Sequence, residues 1–364
     1  VSRDAGLAGR RRYRHYYPAA LLTAVTLVGA GLEACGKTPE ASRARFQAMG
    51  TLVEVSVYGE DAATADAAGA EVEALFDQLQ QRWDPWGDGE LGRLNAKAGG
   101  IEPLVVDEEL AQLLDGAAAI SRDSEGLFDP AVGGLIRMWA FSSEELVPTS
   151  PPDAEKIRQA VAAGRPLYEI WRADTRQLLL GPGTAIDLGG FAKGVAVDMA
   201  IDLLRDQGIE NAIVNAGGDL RAIGRHGDRA WRIGVRDPRG EGVLAAIDVE
   251  GDESVFTSGD YERYFIFEGR RYHHIIDPRD GYPAPGVSSA TVIHQQAAVA
   301  DAAATALFVA GVDAWPRTAA RLGVTQVMLV ETSGTIHMSP QMEDRTWLIP
   351  DPKPEVNIQQ IPAL

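Results

Sequence analysis

Cysteine is almost absent from this chain. Cys35 is the only one in 364 residues, so no disulfide can close within the chain and no second thiolate is available to a metal. Histidine is scarce as well, at six, and His273, His274 and His294 lack the H-x₃-H spacing of a zinc site. Positive charge is in short supply: 34 Lys and Arg face 52 Asp and Glu, a net of −18. A chain this acidic is unsuited to non-specific binding of nucleic acid or anionic lipid. A phosphorylated ligand would need a local lysine or a divalent cation. No serine sits in the G-x-S-x-G elbow of serine hydrolases, and the glycine-rich stretch from Gly183 to Gly194 has neither the GK[ST] of a P-loop nor the GxGxxG spacing of a dinucleotide fingerprint. There are no internal repeats and no long linker. What remains, 45% hydrophobic and 24% charged, is the composition of an ordinary soluble globular protein. The expected fold is a single compact α+β domain.

The N-terminus carries a targeting pattern. Arg10, Arg11, Arg12 and Arg14 precede an uncharged apolar stretch from Ala19 to Gly31, too short for a comfortable transmembrane helix. Leu32-Glu33-Ala34-Cys35 follows. The pattern resembles a bacterial lipoprotein signal, with 1–34 removed and Cys35 lipidated; Glu33 is an unusual occupant of its position. A cleaved secretory signal with an incidental thiol is the alternative, and the paired arginines also allow twin-arginine export. The expectation is an exported protein of the periplasm or cell envelope, anchored to the membrane through Cys35. Residues 35–45 then form a polar tether, 46–345 the domain and 346–364 an extended tail.

Phe46 to Tyr58 reads as one strand broken near Met49-Gly50-Thr51. Ala62 to Trp83 is helical, with Val72, Leu75, Phe76, Leu79 and Trp83 at helical spacing. Asp107 caps a second helix, and Asp153 to Ala163 forms a third. Strands alternate with turns from Ala212 to Phe267, and another strand ends at His294. Ala297 to Ala310 is an Ala-rich helix. Thr325–Glu331 and Thr335–Met338 form a hairpin around Ser333-Gly334.

Four clusters could carry chemistry. Gly183 to Gly194 (GTAIDLGGFAKG) follows the apolar run Leu178–Leu180 and opens a helix whose apolar face is Ala192, Val195, Ala196, Met199, Ala200, Leu203 and Leu204, with Gly208 as its stop. Its glycines and helix end suit an anion, to which Lys193 adds a full charge; a plain packing turn is as good a reading. Asn215-Ala216-Gly217-Gly218-Asp219 permits close backbone approach to a ligand, or is simply a turn. Residues 257–261 (TSGDY) lead towards the pair His273-His274, whose rings point to opposite faces if the segment is a strand. Asp301 and Thr305 share one helical face, as oxygen ligands for a hard cation would, although a capping Asp and a buried Thr share that spacing.

Taken in order, MGT at 49–51, DLGGFAKG at 187–194, NAGGD at 215–219, TSGDYERYF at 257–265, RYHHIIDPRDGYPA at 271–284 and ADAAATALFVAG at 300–311 resemble the ApbE-type FAD:protein FMN transferases. The similarity runs from about Phe46 to about Pro340. Many members are exported lipoproteins, in keeping with Cys35. Members often have Ala-Ile where this chain has Gly190-Phe191, and a cysteine near Ala297 or Ala298; neither departure touches a side-chain ligand.

The resemblance implies an ApbE-like α+β domain with a flavin-binding cleft. Met49, Trp83 and the turn Leu127-Phe128-Asp129 would contact the flavin side of FAD; Asp187 and Lys193 would hold the dinucleotide, with Ile275 beside them. Asp301 and Thr305, with backbone carbonyls of Gly190 and Ala304, would bind Mg²⁺. His274 would be the catalytic base, and Asp260 and Asp277 the carboxylates to consider if it is not. The implied reaction moves FMN from FAD to a Thr or Ser hydroxyl of a partner protein and releases AMP. Family acceptors include subunits of redox-driven ion pumps, the sodium-pumping NADH:quinone reductase and the Rnf complex. Two alternatives stand beside it: a pyrophosphatase giving FMN and AMP, which needs nearly the same residues, and a lipoprotein that binds FAD without turnover, which loss of the metal or base residues would favour, yet Asp301, Thr305 and His274 are all present.

Overall fold

The structure is a computed structural model that describes residues 41–100, 102–142 and 148–363. The signal pattern, Cys35 and most of the tether lie outside the described residues. A nine-stranded sheet forms the centre, in the order Ser42–Ala48, Thr51–Val57, Ala212–Ala216, Asp219–Gly224, Gly251–Gly259, Val287–His294, Gln326–Glu331, Ile336–Met338 and Val356–Ile358. Every neighbouring pair is antiparallel except the last, which is parallel.

Alternation along these strands feeds two cores. Val214, Ile223, Phe256, Val292, Val327 and Leu329 face the larger one, which is covered by helices. Their chain neighbours Ile213, Ala222, Val255, Ile293, Met328 and Val330 face a second core. That core is closed by a three-stranded sheet of Trp231–Arg236, Val243–Val249 and Thr346–Leu348. Three helices position the cleft residues: the first helix Ala62–Trp83, the lysine helix Ala192–Asp206 and the long helix Ala297–Leu322.

The structure departs from sequence expectation in four places. The broken strand at 46–58 is a hairpin: Ala48 pairs with Thr51 across Met49 and Gly50, which turn the chain at φ 50° and 70°. Its first strand starts at Ser42, inside the stretch expected to be tether. The expected C-terminal tail instead supplies Thr346–Leu348 and Val356–Ile358 to the two sheets, and Trp315 Nε1 donates to Gln359 Oε1 at 2.7 Å. The buried stripe of the lysine helix is rotated by about a residue, to Ala192, Gly194, Ala196, Val197, Ala200, Ile201 and Leu204. It is sandwiched, so Val195, Met199 and Leu203 are half-buried on a flank. The Ala-rich helix also runs on to Leu322 through a kink at Gly311.

Candidate active site

The motifs collect at one end of the central sheet. Ala48 pairs with Thr51 and Ala216 with Asp219, and Val53 lies opposite Ala216, so the two hairpin turns are neighbours. Gly259 at the end of its strand lies opposite Ser289. The Met49 N–H donates to Gln80 Oε1, three residues before Trp83 on the first helix. Met49 and Trp83 therefore sit on adjoining elements. Trp83 is 5% exposed, and its indole Nε1 is buried with no hydrogen-bond partner among the described residues.

The lysine helix and the long helix cap each other. Neither has a capping side chain of its own at its first turn. Asp198 of the lysine helix accepts from the Ala297 and Ala298 N–H groups at 2.9 and 3.0 Å. Asp301 of the long helix accepts from the Gly194 N–H at 3.0 Å through Oδ2. Each carboxylate thus meets the positive end of the other helix. Gly194 permits the approach, since a Cβ there would lie 2.5 Å from the Ala297 carbonyl oxygen.

This clamp fixes the candidate metal ligands. Asp301 is 5% exposed, and burial pushes its carboxyl up to about 6, against the lowering effect of Lys193. Thr305 lies one turn on, with its Oγ1 3.0 Å from Ser258 Oγ. Gly190 is adjacent, because a Cβ built there would stand 3.1 Å from Thr305 Oγ1. Ala304 is buried within the helix. Among the described residues no three His, Cys, Asp or Glu converge. The donor set is one buried carboxylate, one hydroxyl and backbone oxygen, which fits a hard cation and not a soft one.

Lys193 points into the same space. Its ammonium pairs with Asp219 and lies 3.6 Å from Asp301 Oδ1, with the Phe256 ring 5.3 Å away. Burial alone would lower its pKa, but the two carboxylates outweigh burial and raise it, so the charge is secure. Asp187 is held in its turn by the Gly189 N–H at 2.8 Å. Burial raises its pKa, opposed by that bond and by the Arg263 guanidinium. Phe128 is buried against Phe191, with ring centroids 6.3 Å apart, while Leu127 is half-buried beside it. Asp129 spends one oxygen on backbone, since Oδ1 accepts from the Ala131 N–H of its own turn at 3.1 Å and from the Leu167 N–H at 2.9 Å, and burial pushes the carboxyl up to about 6. Ile275 is buried in the larger core, in one cluster with Phe128, Leu188 and Phe191.

The two histidines are differently committed. His273 ends the strand Arg270–His273, and both its ring nitrogens are used: Nε2 donates to the Ala284 carbonyl at 3.0 Å, and Nδ1 accepts from the Ile275 N–H at 3.3 Å. Burial pushes its pKa down to about 4. His274 lies just beyond the strand and is half-buried. Its Nδ1 faces the Arg263 carbonyl at 3.3 Å. A carbonyl only accepts, so the proton is on Nδ1 and the lone pair on Nε2. Burial first, then Arg263, push its pKa well below the ordinary 6.5. Asp260 and Asp277 are not free bases: Arg239 and Arg271 hold the first, and Arg279 the second.

Four residues at the site were not singled out from sequence as ligands or catalytic groups. Asp219 and Ser258 lie inside the motifs, which was the available signal. Arg263 also lies in one, but its role runs through its backbone carbonyl. Asn95 had no signal; its amide donates to the Ile186 carbonyl at 2.8 Å and accepts from the Ile186 N–H at 2.8 Å, bracketing the residue before Asp187.

The ApbE family model matches residues 49–329. A FAD:protein FMN transferase of Rhodobacter capsulatus is 40% identical over 330 residues, covering 90% of this chain; the chain spans 62% of that relative's length. One from Treponema pallidum is 36% identical over 77% of this chain and 82% of its own length. The solved ApbE protein of Thermotoga maritima superposes with a TM-score of 0.75 at 34% identity, over 84% of this chain and 99% of that one.

Proposed function

This chain belongs to the ApbE family, and on that premise we infer that it is an FAD:protein FMN transferase. It moves FMN from FAD to a hydroxyl of a target protein and releases AMP. The observation that carries the reading is the meeting of a charged Lys193 with the Asp301–Thr305 oxygen pair, and the Lys193 charge is also felt by the His274 imidazole, whose Nε2 has no partner among the described residues.

Each group has a task in the displacement. The acceptor Thr or Ser oxygen attacks the FMN phosphorus, and the bond from that phosphorus to the AMP oxygen breaks. A neutral hydroxyl is too weak a nucleophile unaided. His274 Nε2 takes its proton as the new bond forms, while the Arg263 carbonyl holds the ring by its Nδ1–H. Lys193 neutralises charge growing on the pyrophosphate oxygens. Met49, Trp83 and the Leu127–Asp129 turn line the flavin side, and Asp187 with Ile275 the remainder. Asp301, Thr305 and the carbonyls of Gly190 and Ala304 would hold Mg²⁺, whose bound charge would act as a Lewis acid on the phosphate oxygens.

Export and attachment to the membrane through lipidated Cys35 belong to the same proposal, supported by the basic and apolar pattern that precedes that residue. They would place the enzyme beside envelope-facing subunits of redox-driven ion pumps, its proposed acceptors. The deciding experiment is mass spectrometry of such a subunit after incubation with this protein, FAD and Mg²⁺. The expected result is one added FMN unit on a Thr or Ser, with AMP released in equal amount. Free FMN and AMP with an unmodified acceptor would make the protein a pyrophosphatase instead.

A further inference from the structure

We propose that Asp219 is a positioning residue for the transfer, holding the Lys193 ammonium at the cleft and drawing it off Asp301; this rests on the transferase reading. The Asn215–Asp219 motif is built to deliver that one carboxylate. Gly217 and Gly218, at φ 73° and 106°, make a two-residue turn closed by the pair Ala216 and Asp219. Asn215 Oδ1 accepts from the Gly218 N–H at 2.8 Å, and the Gly217 N–H donates to the Leu52 carbonyl at 3.0 Å. A Cβ on Gly217 would lie 2.2 Å from Thr51 Oγ1, so the turn is seated on the neighbouring hairpin. Asp219 itself is tied down from the other side, where Oδ1 accepts from the Thr257 N–H at 2.8 Å. Only Oδ2 is left, and it faces Lys193.

A lysine ammonium on a four-carbon stem has no preferred place of its own and loses rotamer entropy when it is held. Two carboxylates compete for it here. Asp219 is in direct contact, whereas Asp301 Oδ1 stands off at 3.6 Å. Without the charge on Asp219, Asp301 is the nearest remaining counter-charge. The ammonium would then move onto the oxygen that a divalent cation requires and away from the incoming pyrophosphate. With Asp219 in place, one of the three ammonium N–H donors is used and two remain for phosphate oxygens.

The test is a cycle of Asp219→Asn, Lys193→Met and the double variant, all in the full chain. Asparagine keeps the shape and still accepts from Thr257 through Oδ1, so the melting temperature should stay near that of the wild type. Asp219→Asn should lower kcat about 10²-fold, the scale of a misplaced catalytic group, with a much smaller change in KM for FAD. Because Asp219 acts through Lys193, the double variant should be no slower than Lys193→Met alone; multiplicative losses would overturn the proposal. Mn²⁺ titrated calorimetrically into the FAD-free protein gives a readout independent of turnover. Affinity should fall about tenfold in Asp219→Asn, the scale of an outer partner of a ligand, and an unchanged affinity would remove the separating role. Should the wild type itself transfer no FMN, the transferase reading fails, and the Mn²⁺ titration still judges Asp219.

Discussion

Replacing His274 and His273 by alanine, one at a time, separates chemistry from packing within two adjacent residues. His274 has a free Nε2 and a pKa held below 6.5, so it is neutral, and competent as a base, across the neutral range. Removing a positioned base slows transfer by about 10²–10⁴-fold. FAD affinity should change little, because the imidazole receives the acceptor's proton and has no assigned role in holding the dinucleotide. His273 has no free nitrogen. Its removal strands the Ala284 carbonyl and the Ile275 N–H, each at about 1–3 kcal/mol. The melting temperature should drop by roughly 5–15 °C in a domain of this size, while the rate per folded molecule holds.

The assay is single-turnover transfer at saturating FAD and acceptor, run beside thermal denaturation. The pH dependences differ in kind. For His274 the active form is the neutral one, so the acid limb of the rate lies below pH 6.5 and the profile is flat above it. For His273 the folded pKa is depressed to about 4 from 6.5. The unfolded chain therefore binds more protons between these values. Stability from this residue is full above about 6.5 and is lost as pH falls towards 4. Equal rate losses in the two variants, or a loss confined to His273→Ala, would refute the assignment of His274. Arg239, Arg271 and Arg279 already occupy Asp260 and Asp277, so the replacement base would have to come from elsewhere.

Other outcomes rest on the same geometry. Asp301→Asn should abolish turnover and Mn²⁺ binding with a melting temperature within a few degrees of wild type, because the amide oxygen can still accept from Gly194; retained metal binding would move the ligand set elsewhere. Asp301→Ala is a poorer probe, since it also removes the cap of the lysine helix, worth about 1 kcal/mol. Gly194→Ala should lower stability by about 1–3 kcal/mol and impair transfer together, as a methyl 2.5 Å from the Ala297 carbonyl forces the two helices apart; chemical denaturation shows whether it does. Calorimetry should find FAD bound far more tightly than FMN or riboflavin, since Lys193 and the oxygen ligands address the pyrophosphate; equal affinities would indicate a general flavin carrier.

Most helices were legible because their signals are local. Asp61, Asp107 and Asp153 each accept from a backbone N–H of their own helix's first turn, and Val72, Phe76 and Leu79 repeat at the helical period. The hairpin at Met49 was missed because its turn rests on a positive φ at methionine, a residue type that does not advertise one. The C-terminal strands were missed for another reason. Their partners, Val243–Val249 and Ile336–Met338, are fixed by tertiary pairing that no local period encodes. The candidate site residues were assigned through motifs, and what motifs cannot convey is which atom is available. His273 and His274 are identical letters, and only the donors and acceptors around them decide which nitrogen is free.

The reciprocal capping of the two helices brings Asp301 beside Lys193, although the two lie over a hundred residues apart in sequence. Asp198 and Asp301 each satisfy the first turn of the other helix, so neither helix end is complete alone. Folding the pair therefore assembles the site, and the carboxylate that would bind a cation is already oriented by a backbone N–H. The same bond has a consequence for the cation. Asp301 Oδ2 is engaged by Gly194, which leaves Oδ1 to face the cleft, and Oδ1 is the oxygen 3.6 Å from Lys193. A divalent cation held by Asp301 would therefore share this oxygen with the ammonium. That shared oxygen is why a second carboxylate beside Lys193 matters to a site whose ligand set does not include it.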